Sequence, residues 1–386
     1  MIREQIEGEA RAAHGAVAAL HDEGVTRALA RAAELVGERA DVIAKANTAD
    51  LEAATELDEG LRDRLRLDVA ALAEQLAELA ELPPLERVGA SWTLEDGARV
   101  EVRRIPIGAV GANFEARPNV AVDVAGQLLK SLNAAVLRTG GAALRTVTVL
   151  VDDVLRPALS DAGLPPAAVG LVRTADHEGA HVLVSLPHVL PLVILRGSGE
   201  STALLEREAA QHGVRTLAHA EGGGVVYLHR DADPEKARAI VRASLDRLGV
   251  CNRLNLLLCD DLSLVPHDAL DGFELREELR EWANDPARIK SVTVRAVSSP
   301  DEAARVANEE TSGLAAAIVT EDETAARVFL DAYRGTAAYW NATTRLTDGF
   351  KLTGSPEPGI NVDRVPGPRG PVTYRDLYLR QYRVVG

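Results

Sequence analysis

The sequence predicts an α/β protein with parallel sheets, and three observations carry that reading. Strand-like apolar runs alternate with helical stretches at a spacing that demands crossover connections. That alternation restarts after Gly224, which suggests two domains. Aromatic residues make up only 3% of a chain that is 46% hydrophobic, so the core is built of Ala, Val and Leu, suited to helices packed on buried strands. At 386 residues the chain also exceeds what one hydrophobic core usually organises.

Taken in order, Met1 to about Leu82 repeats Ala and Leu at steps of three and four among Glu and Arg, the pattern of amphipathic helices, and Pro83-Pro84 ends it. SWTLEDGARVEVRRIPIGAVGANF reads as a hairpin around Asp96-Gly97 followed by a buried strand, Ile107 to Asn113. A helix is expected from Asn119, then strand Ala134 to Arg138, a Gly-Gly turn and another helix. Strands Val169 to Arg173 and Leu190 to Arg196 continue the first unit. In the second unit, about 225–345, GVVYLH is a strand, Asp233 caps a helix with Pro234 at its first position, and LNLLLC, SVTVRAV and AAAIVT are strands, with PDEAARVANEE helical. The Gly- and Pro-rich tail closes in YLRQYRVVG, an edge strand with no evident partner in its own chain and so a candidate for pairing with a neighbouring subunit.

With 43 basic and 58 acidic residues the formal net charge is −15, which argues against nucleic-acid binding and against anionic membranes. The longest apolar stretch, Val182 to Leu195, is broken by Pro187, His188 and Pro191 and is too short to span a bilayer. Cys251 and Cys259 flank an extended run, roughly 26 Å apart at ~3.3 Å per residue, too far for a disulfide. Free thiols and an N-terminus without a basic and apolar leader lead to the expectation of a cytoplasmic protein.

Cys251 sits in GVCN, in a turn between helix and strand, where a thiolate could be the nucleophile or the residue could simply be a small buried hydrophobe, the commoner fate. Cys259 ends an apolar strand and reads as buried. LRGSGEST follows a strand and opens a helix, so Gly197, Ser198 and Gly199 offer close backbone approach and unpaired amides to a phosphate. RTGG, with Arg138 and Gly140, is a second such turn, and together they make a dinucleotide plausible. The nine histidines form no metal set; His177 and His181 lack a framing ligand. No nucleophile elbow or Ser-His-Asp order is present.

The string IPIGAVGANFEARPNVAVDVAGQLLKSLNAAVLRTGG, Ile105 to Gly141, closely resembles the γ-glutamyl phosphate reductases, the glutamate-5-semialdehyde dehydrogenases of proline biosynthesis within the aldehyde dehydrogenase superfamily. The resemblance extends to ANTADL, SWTLEDGARVEVRRIPIG, GVCN, IVTED at Ile318, NATTRLTDG at Asn341 and RGP at Arg369, and so covers nearly the whole chain. It implies an aldehyde dehydrogenase-like fold: a cofactor-binding domain, 1–224, with a hairpin flap at 91–104; a catalytic domain, 225–345; and a return segment with an oligomerisation strand, 346–386. It implies a thiol that attacks an acyl phosphate, a thioester, loss of phosphate, and reduction by NADPH to the aldehyde. Cys251 matches the nucleophile and Asn119 the side-chain oxyanion donor, with a helix N-cap as the alternative for Asn119. Arg138 matches the position that meets the adenosine ribose, and Gly140, Gly197, Ser198 and Gly199 the cofactor loops. Arg117, Asn252 and Arg345 are substrate-binding candidates, each arginine serving either a phosphate or carboxylate or a structural ion pair. The implied partners are a small acyl phosphate, the kinase that makes it, and further copies of the chain in a dimer or tetramer; no metal is implied.

The departures from the family cluster around the expected substrate. Ala218 stands at a Glu position, Gly223-Gly224 at an Asn-Cys pair, Asn255-Leu256 at a Glu-Thr pair, and Leu314 and Ala315 at polar positions, while Arg247, Glu357 and Gly359 are kept. These changes delete groups suited to an amino-acid head and lead to the expectation of a divergent acyl specificity. Two other functions compete with the reductase. An aldehyde oxidiser needs a general base for water, and Ala218 counts against it; an impaired paralogue that only binds a kinase or subunit is opposed by the retained Cys251, Asn119 and Arg138.

Overall fold

The computed structural model describes residues 2–57, 59–95, 97–197, 199–219, 222–248, 250–278, 281, 289–362 and 369–386. Helices Ile2–Ala16, Asp22–Glu38, Ala40–Ala53, Glu59–Leu65 and Val69–Glu81 open the chain, as the Ala/Leu periodicity predicts. Strands β1 (Val88–Thr93) and β2 (Arg99–Ile105) follow as an antiparallel hairpin, with Gly97 at φ +88 in the turn and Asp96 outside the described residues.

The first parallel sheet contains β3 (Ala109–Phe114), β4 (Ala134–Thr139), β5 (Val169–Leu171), β6 (Leu192–Arg196) and β7 (Arg215–His219) in the order β5-β4-β3-β6-β7. β3 and β4 are buried at every position, which is why they read as unbroken apolar runs instead of alternating ones. The chain winds outward from β3 to β5, then returns to the other side of β3 with β6. The switch point therefore lies between the carboxyl ends of β3 and β6, where α/β sheets place their ligands. One hydrophobic core joins this sheet to the N-terminal helices.

The second sheet contains β8 (Gly224–Leu228), β9 (Leu254–Cys259), β10 (Glu274–Arg276), β11 (Ser291–Ala296), β12 (Ala315–Val319) and β13 (Ala337–Trp340), all parallel, in the order β10-β11-β9-β8-β12-β13. Its two faces carry two separate apolar clusters. Helix Pro234–Ala243 begins as predicted: Asp233 accepts from the Lys236 N–H, and Pro234 takes the first position. Helix Pro300–Glu310 begins similarly on the Ser299 hydroxyl.

The return segment contributes the small antiparallel pair β14 (Gly359–Asn361) and β15 (Gly370–Val372), and buries Val372 and Leu377 in the first core. One expectation is corrected here. The closing strand β16 (Leu379–Val385) has a partner in its own chain: it pairs antiparallel with β2 along its full length, giving a three-stranded sheet β1-β2-β16. Sequence separation hid this pairing, since the two strands lie more than 270 residues apart. The short strands β7, β10, β13, β14 and β15 have no expectation in the sequence, being three to five residues long and without clear alternation. Among the described residues no helix is long and apolar enough to cross a membrane, and no His/Cys/Asp/Glu group is arranged to hold a metal.

Candidate active site

The loop after β3 builds the first wall of the site. Ala116 is held at φ +43, a left-handed conformation unfavourable for a residue with a Cβ. The helix then starts at Pro118 with Arg117 at the cap position, so Asn119 is a residue of the first turn and the N-cap alternative falls away. Asn119 is half-buried, and its Nδ2 donates to Asp123 Oδ2 at 3.2 Å.

Arg117 is half-buried and senses Arg196, Arg64, Cys251 and Arg247. Its guanidinium is pushed down to about 10, first by burial and then by repulsion from Arg196, while a Cys251 thiolate acts in the opposite direction. That interaction puts the Cys251 sulfur within electrostatic reach of the Arg117 guanidinium. Arg196 ends β6 directly opposite Phe114 of β3, at the switch point.

Cys251 is half-buried in the turn that enters β9, whereas Cys259 is fully buried and its thiol is pushed up to about 11, chiefly by burial. The two cysteines thus differ as the sequence suggests: one is accessible beside cations, the other an inert core residue. Gly222 lies against the Cys251 turn; a Cβ there would sit 3.1 Å from the Cys251 Cβ and 2.9 Å from Leu314 Cδ2.

Asn252 and Arg345, both substrate-binding candidates, have internal partners. Asn252 is 5% exposed; its Nδ2 donates to the Thr347 carbonyl at 2.8 Å and its own carbonyl accepts from Thr344 Oγ1 at 2.8 Å. Arg345 donates to Asn252 Oδ1 and pairs with Asp246 at 2.6 Å. Together they clamp the Cys251 turn to segment 343–347. Arg345 is thus engaged in a structural ion pair, whereas Arg117 has the cations Arg196, Arg64 and Arg247 around it.

At the cofactor turns, Arg138 is 3% exposed and donates to Asn113 Oδ1 at 3.0 Å and to the Asp176 carbonyl at 2.9 Å, so it ties β3 to the loop beyond β5. Gly140 lies at the carboxyl end of β4 with no atom within 4 Å of a built Cβ. Gly199 opens the 14-residue helix Gly199–His212 beyond β6. A Cβ at Gly197 would be 3.1 Å from Glu115 Oε1. Ser198 lies outside the described residues. An open backbone at Gly140 and a helix N-terminus at the same sheet edge suit a dinucleotide.

Three residues of the site have no expected role in the sequence. Arg196 adjoins the glycine turn. Asp123 is a charge inside the otherwise apolar helix PNVAVDVAGQLLK, and that incongruity is a legible signal. Glu357 comes from the return segment, accepts from the Gly349 N–H at 2.8 Å, and is pushed up by burial.

Matches with known proteins accord with this geometry. The aldehyde dehydrogenase family matches residues 3–260. The γ-glutamyl phosphate reductase of Ligilactobacillus salivarius is 33% identical over 405 residues, covering 98% of this chain and 96% of the relative. The chain belongs to the γ-glutamyl phosphate reductase family of the aldehyde dehydrogenases. A crystal structure of the family from Thermotoga maritima superposes with a TM-score of 0.91 at 27% identity, covering 99% of this chain and 98% of that one. An engineered glycolyl-CoA reductase solved with bound NADP+ shares the fold, with a TM-score of 0.73 at 14% identity and coverage of 99% and 96%.

Within this reductase family the departures now have a spatial meaning. A Cβ at Gly223 would lie 2.6 Å from the Asn255 Cβ, and one at Gly224 would lie 2.5 Å from Thr344 Oγ1. Ala218 is 6% exposed, and Leu314 and Ala315 are fully buried. These positions are tightly packed interior, so the expected loss of polar lining is in part a repacking in which Asn255 and Leu314 close up against glycine.

Proposed function

We propose that this reductase-family protein converts an acyl phosphate, γ-glutamyl phosphate or a close relative, to the aldehyde through a thioester on Cys251. The observation that carries the reading is the half-buried Cys251 thiol within the field of Arg117, at the edge where Arg196 and Asn119 also converge.

The thiolate adds to the acyl carbon; the carbonyl oxygen takes negative charge and is met by an Asn119 Nδ2 hydrogen and the Cys251 backbone N–H. As the carbonyl reforms, the C–O bond to phosphate breaks and phosphate leaves with that electron pair, drawn by Arg117. The acyl group stays on Sγ. A reduced nicotinamide, when bound, supplies the hydride that takes the thioester to the aldehyde. Gly140, Gly197, Ser198 and Gly199 would hold that cofactor, with Arg138 fixing the loop around it, and NADPH is the form we propose.

In this scheme residues 1–224 are the cofactor domain, 225–345 the catalytic domain, and 346–386 the segment that returns Glu357 to the site. The sheet β1-β2-β16 exposes Trp92, Tyr382 and Val384 on one face, an apolar surface suited to a second copy of the chain, so we propose a homo-oligomer of two or four subunits. The kinase that forms the unstable acyl phosphate is the proposed heterologous partner, and the cytoplasm the proposed compartment. An NADPH oxidation assay over a panel of kinase-generated acyl phosphates tests the reading. Turnover is expected for the wild type and none for Cys251→Ala; equal turnover in both refutes it.

A further inference from the structure

Among the buried polar side chains of helix Pro118–Lys130, Asp123 and Gln127 lie one turn apart and are satisfied very differently. Gln127 is fully buried and engaged at both ends: its Nε2 donates to Ser355 Oγ at 3.2 Å, and its Oε1 accepts from the Tyr374 N–H at 2.6 Å. It fastens the helix to the return segment. Asp123 is 8% exposed, yet only Oδ2 has a partner, the Asn119 amide; Oδ1 is buried with no hydrogen-bond partner among the described residues. A leucine would suit such a position better if packing were its purpose. The carboxyl group is therefore explained by what it does to Asn119.

We propose that Asp123 is the positioning residue of Asn119: Oδ2 takes one Nδ2 hydrogen, which stops rotation of the amide and keeps the second hydrogen toward the oxygen that gains charge when Cys251 adds to an acyl carbon. Arg196 and Glu357 face the same carboxyl group, and burial raises its pKa to about 7. Both protonation forms present an acceptor to Asn119, so the restraint holds across neutral pH. The inference rests on the reading of Cys251 as nucleophile and Asn119 as oxyanion donor, and its test separates the two.

The probe is p-nitrophenyl acetate, which requires neither an acyl phosphate nor the cofactor. The thiolate adds to the ester carbonyl, the C–O bond to p-nitrophenolate breaks, and acetyl remains on Sγ, giving a coloured burst. Cys251→Ala should abolish the burst, and Asn119→Ala should slow it by roughly 100-fold. Asp123→Ala should slow it by about 10-fold or more, Asp123→Asn, which keeps an acceptor oxygen, by no more than about threefold, and the Asn119→Ala/Asp123→Ala double variant no further than Asn119→Ala alone. A residue that only supports packing would not show that non-additivity. If Asp123→Ala lowers the melting temperature, Asp123→Leu, which has the same branched shape without an acceptor, replaces it in the cycle. A burst that survives Cys251→Ala, or whose rate is unmoved by Asn119→Ala, overturns the underlying reading and the Asp123 assignment with it. A burst that needs Cys251 and is slowed by Asn119→Ala but is unmoved by Asp123→Ala, or slowed multiplicatively in the double variant, overturns the Asp123 assignment alone.

Discussion

The two cysteines show how environment separates chemically identical groups. Cys251→Ala should abolish turnover with the melting temperature and cofactor affinity preserved, because only the thioester is lost. Cys259→Ala should cost about 1–2 kcal/mol of stability, measured by denaturant unfolding, with kcat unchanged, because it truncates a fully buried side chain in β9. Asp123 gives a pH prediction. Its folded pKa, about 7, lies above the unfolded 3.8, so the native state holds a proton that the unfolded chain releases. Its contribution to stability is full below about pH 4 and is lost as pH rises through about 7. The unfolding free energy of the wild type relative to Asp123→Asn should therefore fall across that window; a constant difference would contradict the burial that raises the pKa. At this scale the sequence reveals Cys251 and Asn119 through their motifs. It makes Asn252 a substrate-binding candidate and leaves Arg345 open, because their contacts depend on Thr347 and Asp246, partners far away in the chain.

Glycines at element ends show the difference between packing and access. Gly140 ends β4 at φ −65 with open space beyond a built Cβ, so Gly140→Ala is sterically free in the protein alone. Its expected effect is an unchanged melting temperature with several-fold weaker NADPH binding, read by nicotinamide fluorescence; equal affinity would remove Gly140 from the cofactor site. Gly223→Ala is the opposite case. The added Cβ would meet the Asn255 Cβ at 2.6 Å, backbone-anchored on both sides, and should destabilise by about 1–3 kcal/mol in denaturant unfolding. Many helix and strand runs of more than five residues are legible from periodicity and caps, as at Asp233-Pro234 and Ser299-Pro300, although helix Glu323–Ala332 has no expectation in the sequence. Strands such as β7 and β14 are not, since they are extended only because a neighbouring strand pairs with them.

At the scale of the molecule, β16 closes the sheet with β2 and leaves Tyr382 and Val384 exposed at 56% and 58% in the protomer. If that face meets a second copy, Tyr382→Asp/Val384→Asp should shift the sedimentation coefficient to the monomer value without unfolding the chain; an unchanged coefficient refutes the assigned interface. Deleting the chain from Tyr378 onward should do the same, and would also strip β2 of one of its two partners. The sequence alone determined the α/β class, the two rounds of strand and helix, the free cysteines and the family motifs, because periodicity, caps and short motifs are encoded by neighbours along the chain. Only the tertiary structure decided that Arg196 and Glu357 join the site, that Gly223 and Gly224 lie against Asn255 and Thr344, and that β16 returns to β2. Each of these is a contact between distant segments, and what selects it is the space and charge left by the rest of the fold, which no local window of sequence contains.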